Sequence, residues 1–126
     1  MGFSGGSVLA AAYILEKQRQ HSAADFKCGI FLSSAECRPE MHYLGLDPPH
    51  DLIRIPTVHT WGTNDATAPT GGQDLSRMCA PTLRLTVIHD GGHEVPKGDC
   101  LIEAVHAIRR SMHTTTDGFE SRLDGL

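Results

Sequence analysis

Three side chains in this sequence could together cleave an acyl bond: Ser4, Asp65 and His93. Ser4 stands in Gly2-Phe3-Ser4-Gly5-Gly6, which fits G-x-S-x-G. That pattern sets a serine on a strand-to-helix turn so sharp that its neighbours must be small. The turn holds the hydroxyl where a base can reach it. Alone the match is weak, because a glycine-rich N-terminal loop explains it as well. Asp65 ends Trp61-Gly62-Thr63-Asn64-Asp65, and alone it is an ordinary turn aspartate. His93 lies in Asp90-Gly91-Gly92-His93-Glu94-Val95-Pro96, and alone it is a loop histidine. Together the three define a reaction. The histidine takes the serine proton near neutral pH. The aspartate holds the imidazole in the right tautomer and stabilises its charged form. Asp90 is a rival acid, but it sits only three residues from His93. Glu94 is a weaker rival. The backbone N–H of Gly5, directly after the serine, is the expected oxyanion donor.

Elements must carry these residues to one place. Gly5 to Gln20 reads as a helix, and its run Val8 to Leu15 (V-L-A-A-A-Y-I-L) is apolar on every side. Such a helix is expected to be buried all round. His21 to Asp25 reads as a loop. Gly29-Ile30-Phe31-Leu32 is short, apolar and bounded by small residues, as a buried parallel strand is. Ser34 to Asp51 holds three prolines and no clear period, so it reads as an irregular connection. Its Met41, Tyr43 and Leu44 are candidates to touch an apolar acyl chain, and a plain surface loop is an equal alternative. Ile53 to Gly62 reads as the next strand, Gly72 to Met78 as a short helix, and Leu83 to His89 as a third strand. Asp99 to Met112 repeats Leu101, Val105, Ile108 and Met112 at helical steps. Strands alternating with helices imply parallel pairing in an α/β fold. Asp65 and His93 each follow a strand, at the edge where open parallel sheets place their sites.

Composition narrows the function classes. The 126 residues suffice for one modest domain. A net charge of -4 gives no basic patch for nucleic acid and no polybasic membrane anchor. No apolar run approaches the roughly 20 residues of a membrane span. The four cysteines form no C-x-x-C pair and the eight histidines no close ligand pair, so neither metal nor cofactor is expected. Reduced thiols and a cytoplasmic location are the plain reading. A phosphate loop at Gly2 to Ser7 fails, since no G-K-[ST] follows.

Four blocks then carry a resemblance. They are Gly2-Phe3-Ser4-Gly5-Gly6, Phe26-Lys27-Cys28-Gly29-Ile30-Phe31-Leu32-Ser33, Pro56 to Asp65, and Gly91-Gly92-His93-Glu94-Val95-Pro96. In their order and spacing the chain resembles the "family of serine hydrolases", α/β-hydrolases common in fungi and related to the ovarian-cancer-associated-gene hydrolase. The likeness runs from Gly2 to about Met112. The domain is read over residues 1–113, and the polar stretch 114–126 as a tail. The likeness makes Ser4 the nucleophile, Asp65 the acid and His93 the base. It implies hydrolysis of a carboxylic ester or thioester through an acyl-enzyme. The implied substrate is a small-molecule acyl ester or thioester, including a polyketide held on a carrier protein in fungal secondary metabolism.

The chain departs from that family twice. Gly5 replaces a glutamine usual after the serine. The family's N-terminal half has no counterpart here, so the expected fold is a partial α/β-hydrolase: three layers, a mostly parallel sheet, N-terminal strands missing. On this reading no strand leads into the serine turn, and Gly29–Leu32 shows an open edge. Loss of one oxyanion donor costs about 10²- to 10³-fold in rate. The chain is then expected to be weak or inactive by itself. The alternative reading is a remnant that acts, if at all, as an interaction protein.

Overall fold

The structure, a computed structural model, describes residues 1–20, 26–36 and 52–124. The expected loop at His21–Asp25 and the pocket candidates Met41, Tyr43 and Leu44 lie outside the described residues. Among the described residues there are four strands: β1 (Gly2–Phe3), β2 (Gly29–Leu32), β3 (Thr57–Gly62) and β4 (Arg84–His89). Three helices accompany them among the described residues: α1 (Gly5–Arg19), α2 (Gly71–Ser76) and α3 (Gly98–Asp124). The strands lie in the order β1-β2-β3-β4, and every pairing is parallel. This is the partial α/β sheet that the alternation implied.

Both faces of the sheet are covered. Successive side chains of a strand point to opposite faces. Phe31 joins Ala11, Ile14 and Leu15 of α1 and Leu75 of α2 in one buried cluster. Val58 and Val87 join Ala104 and Ala107 of α3 in another. The result is three layers: α1 and α2, the sheet, then α3. In β3, five of six residues are buried, as a central parallel strand requires.

Four expectations need correction. A strand does lead into the serine turn. Gly2 and Phe3 pair with Phe31 and Leu32, so the edge of β2 is covered at those positions. Two residues carry no periodicity, which is why the sequence pattern misses them. The second correction concerns β3, which starts at Thr57 and not Ile53. Pro56 has no N–H to donate, and its carbonyl accepts from Gly29 at 2.9 Å just before the ladder begins. Ile53 instead makes a lone bridge to Cys79. Third, α1 is not buried all round: Leu9 and Tyr13 are exposed on the side away from the sheet. An apolar stretch longer than the sheet can cover leaves its outer side bare. Last, α3 runs to Asp124, so helical backbone continues through most of the stretch read as a tail.

Candidate active site

The site is built on the turn between β1 and α1. Ser4 adopts φ 55° and ψ -123°, a region that costs a non-glycine residue about 1–3 kcal/mol. The turn survives because its surroundings fix it. The Ser4 N–H donates to the Leu32 carbonyl at 3.0 Å, and the Ser7 N–H donates to the Ser4 carbonyl at 3.0 Å. The Ser7 hydroxyl donates to the Leu32 carbonyl at 3.2 Å. Gly2 must be small, because a Cβ there would lie 2.5 Å from the Gly6 carbonyl oxygen. Strain and close approach together explain the glycine spacing seen in the sequence.

Two further loops meet this turn. One follows β3 and carries Asp65; the other follows β4 and carries His93. Their backbones are joined: the Thr63 N–H donates to the His89 carbonyl at 2.8 Å, and the Asn64 N–H to the Gly91 carbonyl at 3.0 Å. The Asn64 side chain adds a bond from Nδ2 to the Asp90 carbonyl at 2.5 Å. Sequence reasoning quoted Asn64 only as a neighbour of Asp65. Its role follows from two loops leaving adjacent strands, which no local pattern reveals.

The structure brings Ser4, His93 and Asp65 together. His93 Nε2 lies 2.8 Å from Ser4 Oγ, and His93 Nδ1 lies 2.7 Å from Asp65 Oδ2. A carboxylate can only accept, so Nδ1 carries the proton and Nε2 accepts from the serine hydroxyl. The Asp65 side chain is 2% exposed and the His93 side chain 18%. Asp65 is not left unpaired on its other oxygen. Oδ1 accepts from the N–H groups of Thr67 at 3.0 Å and Ala68 at 2.8 Å. Burial pushes the Asp65 carboxyl up, but those N–H groups and the adjoining His93 outweigh it and hold it below its ordinary value. Asp65 is therefore a carboxylate at neutral pH.

The rival acids stand elsewhere. Asp90 is exposed, and only its backbone carbonyl takes part, accepting from Asn64. Glu94 pairs with Lys97 at 3.3 Å, and His93 Nδ1 is taken by Asp65. Phe3 was quoted within the serine motif without a role. Its ring packs against the His93 imidazole, 5.4 Å between centroids. Above the turn there is room. A Cβ built on Gly5 or Gly6 would meet nothing within 4 Å. The first N–H groups of a helix have no acceptor within it, which leaves donors at the start of α1 next to Ser4. No described helix is long and apolar enough to cross a membrane.

In sequence the chain is similar to several known esterases. The chain is 28% identical over 122 residues to the esterase citA of Monascus ruber, covering 76% of this chain and 46% of that protein. It is 30% identical over 113 residues to a probable esterase of Aspergillus terreus, covering 76% and 44%. It is 24% identical over 130 residues to the esterase FUS5 of Gibberella moniliformis, covering 100% and 50%. The chain thus spans about half the length of these curated relatives. No solved structure matches it significantly. The family model described as "Serine hydrolase (FSH1)" matches residues 1–105, and the chain belongs to that family.

Proposed function

We propose that this chain carries the catalytic centre of an esterase-type serine hydrolase that cleaves carboxylic esters or thioesters through an acyl-enzyme. The observation that carries the reading is the unbroken relay from Ser4 Oγ through His93 to Asp65, at 2.8 and 2.7 Å. His93 Nε2 takes the Ser4 proton as Oγ attacks the acyl carbon. Asp65 stabilises the imidazolium that forms, and it stays ionised itself. The Gly5 N–H donates to the oxyanion of the tetrahedral intermediate. Collapse breaks the bond to the alcohol or thiol, which leaves with the proton from His93. Water, activated by the same imidazole, then releases the acid from Ser4.

The serine turn supports this reading further. The strand Gly2–Phe3 and the Leu32 carbonyl hold Ser4 in its strained geometry. A strand thus leads into the serine turn, which supports an active nucleophile. Thioesters on a carrier protein, with acyl groups of polyketide origin, are the finer proposal, supported by the resemblance of the four sequence blocks. A cytoplasmic location is part of the same proposal and fits the free thiols of Cys28, Cys79 and Cys100. A fluorophosphonate probe tests the centre directly. It should label Ser4, and Ser4→Ala or His93→Ala should abolish labelling. Hydrolysis of p-nitrophenyl esters and acyl thioesters of graded chain length then separates the two substrate classes. Labelling that persists undiminished in Ser4→Ala would remove the proposal.

A further inference from the structure

Ser33 joins the two sides of the site. It follows β2, and it is fully buried. Its hydroxyl donates to the Glu94 carbonyl at 2.7 Å, across 61 residues of sequence. Glu94 is the residue directly after His93. The flanking residues of Ser33 hold the nucleophile instead. The Leu32 carbonyl accepts from the Ser4 N–H, and the Ala35 N–H donates to the Ser4 carbonyl at 3.1 Å. A four-residue stretch thus touches the serine turn through its backbone and the histidine loop through one hydroxyl.

The His93 loop is fastened on both sides of the imidazole. Before it, the Gly91 carbonyl accepts from Asn64 N–H at 3.0 Å. After it, the Glu94 carbonyl accepts from Ser33. The Glu94 side chain instead pairs with Lys97 through Oε2. The backbone of Ser33 is itself unusual. Its φ is 44°, and Ser33 and Ser4 are the non-glycine residues with positive φ among the described residues. Glycine would meet that φ without cost. Serine at a fully buried, left-handed position is accounted for by its hydroxyl bond, and strain of this kind persists where the surroundings over-determine it.

Resting on the reading of Ser4, His93 and Asp65 as a triad, we infer that Ser33 is a positioning residue for the reaction: its bond to the Glu94 carbonyl fixes the loop so that His93 spans Ser4 and Asp65. The hydroxyl touches neither substrate nor imidazole. It acts through the backbone, keeping the two nitrogens of one ring within bonding distance of two separate partners.

The test compares the native chain with Ser33→Ala and Ser33→Gly. Alanine removes the hydroxyl alone. Glycine removes it and also suits the φ of 44°, so it folds even where alanine does not. Two quantities are read well below the melting point: the rate of fluorophosphonate labelling at Ser4, and the downfield proton resonance of the His93 Nδ1–H bond to Asp65. Both variants should label about 10- to 100-fold more slowly, as expected for a misplaced catalytic group. Both should show the resonance broadened by exchange with water. A merely structural role would lower the melting point and leave both readouts unchanged. A folded variant that labels within twofold of native, with a sharp resonance, overturns the inference and leaves the triad standing. A native chain that lacks both Ser4-dependent labelling and a resonance sensitive to His93→Ala overturns the triad and the inference with it.

Discussion

His59 and His93 are the same side chain in opposite settings. His59 sits in the body of β3, 1% exposed and stacked on Phe31 with ring centroids 5.3 Å apart. Its Nε2 shares a 2.9 Å bond with the Thr57 hydroxyl, and its Nδ1 has no partner among the described residues. Burial, and then the charge of Arg84, push its pKa down to about 3. His93 sits past the end of β4 with a carboxylate on one nitrogen and a hydroxyl on the other. The middle of the sheet buries the imidazole with no acid beside it among the described residues, so it is kept neutral. The rim offers both a negative charge and an open face. Only there can a histidine gain and lose a proton as part of a reaction.

The comparison breaks most sharply at Asp65. In Asp65→Asn an amide N–H₂ or carbonyl replaces the carboxylate beside His93. The imidazole then loses the partner that keeps its proton on Nδ1, and Nε2 no longer serves as the base. Labelling of Ser4 should fall about 10³- to 10⁴-fold, on the order expected for a wrong tautomer. The fold should survive, since Asn keeps an oxygen for the N–H groups of Thr67 and Ala68. A labelling rate within tenfold of native would mean that His93 draws little from Asp65.

A smaller effect should come from Gly62, the last residue of β3. A Cβ there would collide with the carbonyl oxygens of Gly91 and Gly92. These atoms are backbone and belong to the loop that carries His93, so the loop must move. Gly62→Ala should slow labelling about 100-fold, the scale of a displacement near 1 Å. It should also lower the melting temperature, as overpacking of a dense contact does. If the rate is unchanged while the melting point drops, the rim tolerates movement that the relay geometry forbids.

These two sites also mark what was legible in advance. Ser4 could be named from its glycine spacing and the apolar helix after it, and Asp65 and His93 because each follows a strand-like run. Gly29–Leu32 could be placed because a buried parallel strand leaves a short apolar signal, and Arg84–His89 because its stretch is rich in β-forming residues. The rest depends on partners distant in sequence. Gly2–Phe3 is a strand only because Phe31 and Leu32 lie beside it. Leu9 and Tyr13 are exposed because the sheet covers one side of α1, which the sequence pattern of that helix does not record. The Asn64 and Ser33 bonds reach loops 26 and 61 residues away. Glycine spacing announces a tight turn, but it does not say which chain passes close enough to need it.

The last prediction concerns His59 and leaves the rate untouched. In the unfolded chain this imidazole titrates at its ordinary value near 6.5, while in the fold it titrates at about 3. Between those values the unfolded state binds the proton and the folded state does not, so stability is present above the upper value and falls as pH drops through the window. From pH 7 to pH 5 the loss should be about 2 kcal/mol from this one group. Asp65 does not contribute there, because its carboxyl is held below the ordinary carboxylate range and is ionised across that interval. His59→Leu should therefore flatten the dependence of chemical-denaturation stability on pH over this interval. Its overall stability can shift either way, since Leu relieves the unpartnered Nδ1 but removes the bond between the Thr57 hydroxyl and Nε2. Labelling of Ser4 at pH 7 should stay within about threefold of native, because His59 touches none of the three rim residues. Equal slopes for native and His59→Leu would mean that His59 takes up its proton inside the fold, and the contrast between the two histidines would then lose its electrostatic basis.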